Sequence, residues 1–388
     1  MKALIVDKAI SFGGSLEVAN RLARILALKG IKVELMTDCR GKDRTQIAND
    51  FSRISYFNFP ITFLRESAIQ LRVSKLTKGK FKVILYLVGI LIILINSLAF
   101  AKLLWRIAVS GADIVHTNNS VSAALLGRIM RKKVIWHAHG PVEQSFTFRF
   151  AMMNCHRVIS ISRFVTSNLI QHGIDQRKIV QISNPLAGHS ETRIKGEVKD
   201  IDIFSIGRLV SWKGQLELLA AIRHLKERNK NYKVIIAGDS DTPDSSYKKS
   251  LQVFVQDNNI GENVSFVGHI TDAPAYYRRS KVFVHSSIKP EPFGLVITEA
   301  AQYGCAVICS AFGAGPELVT DKVTGLVVDP TKTSSLADAI ELLVENTKLR
   351  DAMSTSLSDD INARFSDETI GAQVASLYQR LLKNETTV

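Results

Sequence analysis

Residues 288–310 read IKPEPFGLVITEAAQYGCAVICS. They follow the β-branched run KVFVHS (281–286), and Pro290 and Pro292 cannot extend that strand because each lacks a ladder donor. Gly294 then permits a turn, and Leu295–Tyr303 reads as a helix ended by a second glycine, Gly304. AVICS (306–310) is again short, apolar and β-branched. Strand, loop, helix and strand in that order belong to a parallel sheet covered by helices.

The alternation extends outward. IDIFSIG (201–207), VIIAG (234–238) and VSFVG (264–268) precede the quoted stretch and GLVVDP (325–330) follows it, with helical stretches between. Near the start, LIVD (4–7) leads through SFGGS (11–15) into LEVANRLARILALKG, where Val18, Leu22, Ile25 and Leu26 keep helical spacing until Gly30. KVELMT (32–37), DIVHT (113–117) and KVIWHAHG (133–140) complete the strands of the first half. A chain of 388 residues and 43.0 kDa suits two such domains. The polar segment SNPLAGHSETRIKG (183–196), broken by Pro185, Gly188 and Gly196, reads as the linker, which gives domains 1–187 and 188–365.

The composition, 46% hydrophobic and 22% charged, excludes a disordered or fibrous chain. Cys39, Cys155, Cys305 and Cys309 show neither a CxxC pair nor zinc spacing, so a reducing compartment fits. Charge is unevenly placed. Residues 1–190 hold 27 Lys and Arg against 10 Asp and Glu, a net +17, whereas 191–388 hold 23 against 26, a net −3. No acidic residue lies between Glu66 and Asp113. In that gap Arg72, Lys75, Lys78, Lys80 and Lys82 precede the uncharged VILYLVGILIILINSLAFA (83–101). As a helix this run would reach roughly 28 Å, near the thickness of a bilayer core. A true span would separate strands of one sheet, and a buried helix or one dipping its apolar face into a leaflet avoids that conflict. MKALIVDKAI is not a secretory signal, since Asp7 and Lys8 interrupt it. The expected location is cytoplasmic, peripheral on the inner face of a membrane.

Ligands of such sheets bind at the carboxyl ends of strands. There the backbone amides of Phe293, Gly294 and Leu295 begin a helix and suit a diphosphate. Glu291 and Glu299 would repel that diphosphate, so they are expected on sugar and ribose hydroxyls. In FSIGRLVSWKG (204–214), Gly207 permits a tight turn while Arg208 and Lys213 supply positive charge. Gly13 and Gly14 open a close backbone approach in the first half, and His137 and His139 end a strand beside Gly140. Neither GxGxxG nor GxxxxGK[ST] occurs. Of two DxD strings, 200–202 and 239–241, the second follows a strand and has the chemistry for magnesium, but the cationic groups make a metal unnecessary.

Together these residues resemble the retaining glycosyltransferases of family four. The likeness runs from GGS through HG, GRLVSWKG and EPFGLVITE to GCAVICSAFGAGPELVTDKVTGLVVDP. It implies a GT-B fold, an α/β architecture of two Rossmann-like doubly wound domains facing across a cleft, with a crossover helix at about 366–384. It implies acceptor binding by the first domain, nucleotide-sugar binding by the second, retained anomeric configuration and no metal or other cofactor. By position, Arg208 and Lys213 look like the diphosphate pair, Glu299 like the ribose ligand and Glu291 like the donor-sugar contact. Phe293, Gly294 and Leu295 would offer amides, with Gly207 in the facing turn and Gly13 and Gly14 in the opposing loop. His139 would sit near the reacting face. Many members read GG-x-Glu, whereas Leu16 holds that place here and Glu17 follows it.

The expected activity is transfer of a sugar from a UDP-, GDP- or ADP-linked donor to a lipid-linked saccharide or lipopolysaccharide acceptor at an anionic membrane surface. The alternatives are a GT-B sugar-nucleotide epimerase or hydrolase, and a non-catalytic membrane-surface protein. A nucleic-acid partner is not expected, because the basic cluster has no aromatics interleaved with it on strands.

Overall fold

A computed structural model describes residues 1–9, 13–57, 97–142, 146–186, 198–240 and 246–383. The first sheet holds β1 (Lys2–Asp7), β2 (Lys32–Thr37), β3 (Arg53–Tyr56), β4 (Ile114–Asn118), β5 (Lys133–Ala138), β6 (Arg157–Ser160) and β7 (Ile179–Gln181). The second holds β8 (Ile201–Ile206), β9 (Val234–Ala237), β10 (Val264–Gly268), β11 (Ser280–His285), β12 (Ala306–Ser310) and β13 (Leu326–Val328). Their spatial orders are β3-β2-β1-β4-β5-β6-β7 and β10-β9-β8-β11-β12-β13, and every pairing is parallel.

Each short β-branched run read as a strand in the sequence is one. Ala3, Leu4, Ile5 and Val6 are all buried although they point alternately to opposite faces, as expected where helices cover both sides of a sheet. β3, β6 and β7 are additional. β3 and β7 are the sheet's two edges, and RISY and IVQ are too short to stand out from loop sequence.

The chain forms two compact units. Met1–Ser160, Thr166–Ile182 and Gly371–Val388 make the first; Ile161–Val165 and Ser183–Ile370 make the second. Local bonds account for the interruptions. Ser162 Oγ donates to the Pro292 carbonyl at 2.7 Å, and the Glu317 carboxylate accepts from the backbone N–H groups of Arg163 and Phe164 at 2.7 Å each. The helix Asp367–Leu382 supplies the first unit's last piece. Gly371 packs so closely that an added Cβ would stand 2.2 Å from Ile25 Cγ2, and Tyr378 is fully buried.

The second unit's core lies between β8, β9, β11 and β12 and the helices Gln215–Glu227 and Thr333–Glu345, with Leu218, Ile222, Val282, Ile308, Leu336 and Ile340 buried. The basic and apolar segment 72–96 lies outside the described residues. Its continuation is helical over 97–109, where Leu103 and Ile107 are buried while Leu98, Phe100 and Trp105 are exposed. Among the described residues no helix is long and apolar enough to cross a membrane.

Candidate functional site

Each sheet has a point where neighbouring strands wind away in opposite directions, between β8 and β11 in the second unit and between β1 and β4 in the first. The carboxyl ends of such strands leave a crevice for ligands.

In the second unit the loops after β8 and β11 are laced together. The turn Ser211–Lys213 ends at Gly214, whose φ of 72° is left-handed. Ile288 N–H donates to the Trp212 carbonyl at 2.9 Å and Ser286 Oγ to the Lys213 carbonyl at 3.2 Å. The backbones approach so closely that a Cβ on Gly214 would stand 1.8 Å from the Ser286 oxygen. This lacing aims Lys213 past Gly207 toward Glu291, and Lys213 Nζ donates to Glu291 Oε2 at 2.5 Å.

The same carboxylate oxygen lies 3.4 Å from Ser287 Oγ and 3.5 Å from His285 Nε2, while Ser287 Oγ is 3.0 Å from that nitrogen. Burial alone would raise the Glu291 pKa; the His285 bond and the Lys213 charge outweigh it and hold the carboxyl at about 2. The Glu291 carbonyl accepts from Ala314 N–H at 2.9 Å, so main chain and side chain are both fixed.

Three residues on, Gly294 (φ 102°) caps the helix Leu295–Gln302. First-turn amides of a helix have no carbonyl four residues back and are free to face an anion. Phe293 is buried edge-on against Phe365, with ring centroids 5.7 Å apart. Glu299 accepts from the buried Tyr277 hydroxyl at 3.4 Å. Arg208 follows β8 with an exposed side chain, and its carbonyl accepts from Gln215 Nε2 at 2.9 Å. The structure thus sets Gly207, Arg208, Lys213, Glu291, Phe293, Gly294, Leu295 and Glu299 on the loops and helix beyond the carboxyl ends of β8 and β11.

In the first unit Gly13 precedes the helix Gly14–Leu28 with extended backbone and accepts from Glu17 N–H at 2.9 Å. Leu16 is fully buried and Glu17 pairs with Arg21 at 2.9 Å. His139 follows β5 and lines a cavity of about 140 Å³ with Asn119, Trp136, Gly140 and Phe148. Burial depresses its pKa to about 4.

Sequence reading missed the polar groups behind these. Asp7 and Asn118, on β1 and β4, are buried and joined by a bond of 3.0 Å from Asn118 Nδ2. His116 is fully buried within an apolar run, so nothing in its neighbours marks it out. Of the two DxD strings, Asp200 and Asp202 stand at the start of β8, paired with Arg279 at 2.6 Å and Lys281 at 2.7 Å. Asp239 pairs with Lys248 at 2.8 Å, and Asp241 lies outside the described residues.

Comparison with known proteins adds to this geometry. The family described as Glycosyltransferase Family 4 matches residues 12–186, and that described as Glycosyl transferases group 1 matches residues 190–357. The chain belongs to the family 4 glycosyltransferases, and its fold is GT-B. It is 27% identical over 178 residues to the capsular polysaccharide biosynthesis glycosyltransferase CapM of Staphylococcus aureus, covering 46% of each chain. It is 28% identical over 182 residues to the GDP-mannose-dependent alpha-(1-6)-phosphatidylinositol monomannoside mannosyltransferase of Mycobacterium tuberculosis, covering 45% of this chain and 46% of that one. The chain thus spans about half the length of these curated relatives. The crystal structure of Anabaena HepE in complex with UDP is similar over 98% of this chain and 100% of that one, with a TM-score of 0.77 at 20% identity, a likeness of fold.

Proposed function

We propose that the protein is a retaining glycosyltransferase that moves a sugar from a nucleotide-sugar donor to a lipid-linked saccharide or lipopolysaccharide acceptor at a membrane surface. The observation that carries this is the Lys213–Glu291 pair beside the Gly294-capped helix, where the second sheet reverses its winding. In this reading Arg208, Lys213 and the amides of Phe293, Gly294 and Leu295 bind the diphosphate. As the anomeric C–O bond to that diphosphate breaks and a bond to an acceptor hydroxyl forms, the hydroxyl proton passing to a departing phosphate oxygen, they stabilise the charge gathering on the leaving group. Glu291 orients the donor sugar and Glu299 the ribose. Gly207 allows close backbone approach in the second unit, as Gly13 and Gly14 do in the first, where His139 lines a cavity of its own. These cationic and amide groups supply the charge compensation for which other transferases use a metal ion.

Support for a nucleotide donor comes from HepE, whose structure holds UDP, and from the mycobacterial relative, which is GDP-mannose-dependent. Support for an amphiphilic acceptor comes from that relative's phosphatidylinositol monomannoside and from the excess of cations in the first half of this chain. Thermal shift with UDP, GDP and ADP separately tests the donor half. The cognate diphosphate at 100 times its Kd stabilises by about 2.7 kcal/mol, and no shift with any of the three overturns it. Transfer is then assayed with polyprenyl-linked and lipid A core acceptors, and the product's anomeric configuration is read by NMR. Inversion would refute the retaining assignment. Full turnover without an acceptor would favour a hydrolase or epimerase.

A further inference from the structure

β11 ends at His285, and the chain runs on through Ser286 and Ser287 toward Glu291. Residues two apart at a strand end face the same side of the chain, and Ser287 Oγ lies 3.0 Å from His285 Nε2. Both are withdrawn from water, His285 at 5% exposed and Ser287 at 0%. The proposed function uses neither. Yet both converge with Lys213 on a single oxygen, Glu291 Oε2, which lies 2.5 Å from Lys213 Nζ, 3.4 Å from Ser287 Oγ and 3.5 Å from His285 Nε2. Glu291 Oε1 has no partner among the described residues and stays open to solvent.

The protons available fix the sense of these contacts. His285 Nδ1 is buried with no partner among the described residues, so it is unfilled whichever way the ring is protonated. With a proton on Nε2, the imidazole donates to Ser287 Oγ and the hydroxyl donates onward to Glu291 Oε2. Two protons then make two bonds. With Nε2 bare, the Ser287 O–H reaches either that nitrogen or the carboxylate but not both. One bond is lost, and a lone pair faces the negative oxygen at 3.5 Å. A hydrogen bond to a charged group is stronger than one between neutral groups, and only the Nε2–H form keeps it together with the bond behind it.

We propose that His285 and Ser287 are positioning residues for sugar transfer: a buried relay, His285 Nε2–H to Ser287 O–H to Glu291 Oε2, holds one carboxylate oxygen from the protein side and leaves Oε1 to take a donor-sugar hydroxyl. This deepens the glycosyltransferase reading and rests on it for the substrate of Glu291. Lys213 by itself cannot hold the carboxylate, since a diphosphate competes for its charge. The relay ends in an imidazole that is closed to substrate, so it keeps Glu291 aimed when Lys213 changes partner.

The test uses the full chain. Calorimetry with UDP, GDP and ADP identifies the diphosphate that wild type binds, and nucleotide sugars of that base serve for kinetics. Ser287→Ala breaks the relay in the middle and His285→Leu removes its first donor. Both should bind the bare diphosphate within about twofold of wild type, while kcat/KM for the nucleotide sugar falls about tenfold or more. His285→Gln, whose side-chain amide can set an N–H near the imidazole Nε2 position, should recover most of that loss. In a Glu291→Ala background Ser287→Ala should cost nothing further, because the relay acts only through that carboxylate. Unchanged kcat/KM in Ser287→Ala, an equal loss of diphosphate affinity, or a His285→Gln variant no better than His285→Leu overturns the proposal. Should the variants not fold, wild type decides: long-range 1H–15N spectra with 15N-labelled histidine must show His285 protonated on Nε2, and protonation on Nδ1 only overturns the relay. Wild type that binds none of the three diphosphates counts against the glycosyltransferase reading, while the spectra still decide the relay.

Discussion

Lys213 Nζ and Glu291 Oε2 stand 2.5 Å apart with side chains 17% and 16% exposed, an ion pair largely withdrawn from water. A donor that recruits Lys213 to its diphosphate must offer the carboxylate a replacement partner, and sugar hydroxyls are suited to that. Lys213→Ala should reduce kcat by about 10²–10³-fold, the usual loss when one transition-state charge partner is removed. Steady-state kinetics with the cognate donor would check this, and wild-type kcat would contradict it.

The pair also carries a pH signature. Glu291 is held at about 2 against an ordinary value of 4.5, so its contribution to stability is complete above about 4.5 and is lost as pH falls toward 2. Glu291→Gln removes that segment. Urea midpoints at pH 6 and pH 3 should converge between wild type and variant by on the order of 1–3 kcal/mol at the lower pH. Parallel curves would show that the carboxylate is not bound as described.

Three histidines, one buried and two partly so, act in a different window. His116, His139 and His156 are held at about 3, 4 and 4, so the unfolded chain takes up protons below pH 6.5 before the folded chain does. Stability should therefore be constant above about 6.5 and fall toward pH 4 by at least about 1.4 kcal/mol per pH unit, one proton's worth. A flat urea midpoint over that range would refute it.

Gly214→Ala should be severely destabilising, because the new Cβ meets the Ser286 carbonyl at 1.8 Å in a left-handed conformation. A loss above about 3 kcal/mol is expected, in the range reserved for special backbone sites. Gly268→Ala is the control: its φ is +69° but nothing lies within 4 Å of the added carbon, so the cost is the left-handed penalty alone, about 1–2 kcal/mol. Equal melting temperatures would show that the lacing of the two loops is not what fixes Gly214.

Phe146 and Phe150 are 80% and 47% exposed and stack at 6.1 Å on the helix Phe146–Met153. If this face enters a leaflet, replacing both with Ala should weaken binding to anionic vesicles about tenfold or more, since burying one such ring contributes about 1.5–3 kcal/mol. Pelleting that is unchanged would remove this face from the contact.

Much of the fold was legible because parallel strands buried on both faces leave continuous apolar runs such as ALIV and VIIA, and glycines mark the turns between them. Edge strands like RISY bury less and leave no such trace. In the second unit the candidate site residues sit in a few loops and one helix start whose prolines and glycines advertise them, so Arg208, Lys213, Glu291 and Glu299 could be picked out together. The first unit's network was illegible for a physical reason: Tyr378 and His116 are 262 residues apart, and only packing of the final helix brings them within bonding distance. Likewise the capture of Ile161–Val165 by the second unit depends on Glu317, a carboxylate with no local signal.

The placement of Gly371–Val388 in the first unit bears on biosynthesis. At roughly 5–20 residues per second, the ribosome needs about 10–40 s after Ile182 to supply the helix that covers His116 and packs on Ile25. Throughout that interval the nascent amino-terminal half waits with an open flank, while the later half can assemble first, so the order of completion along this polypeptide runs against the order of translation.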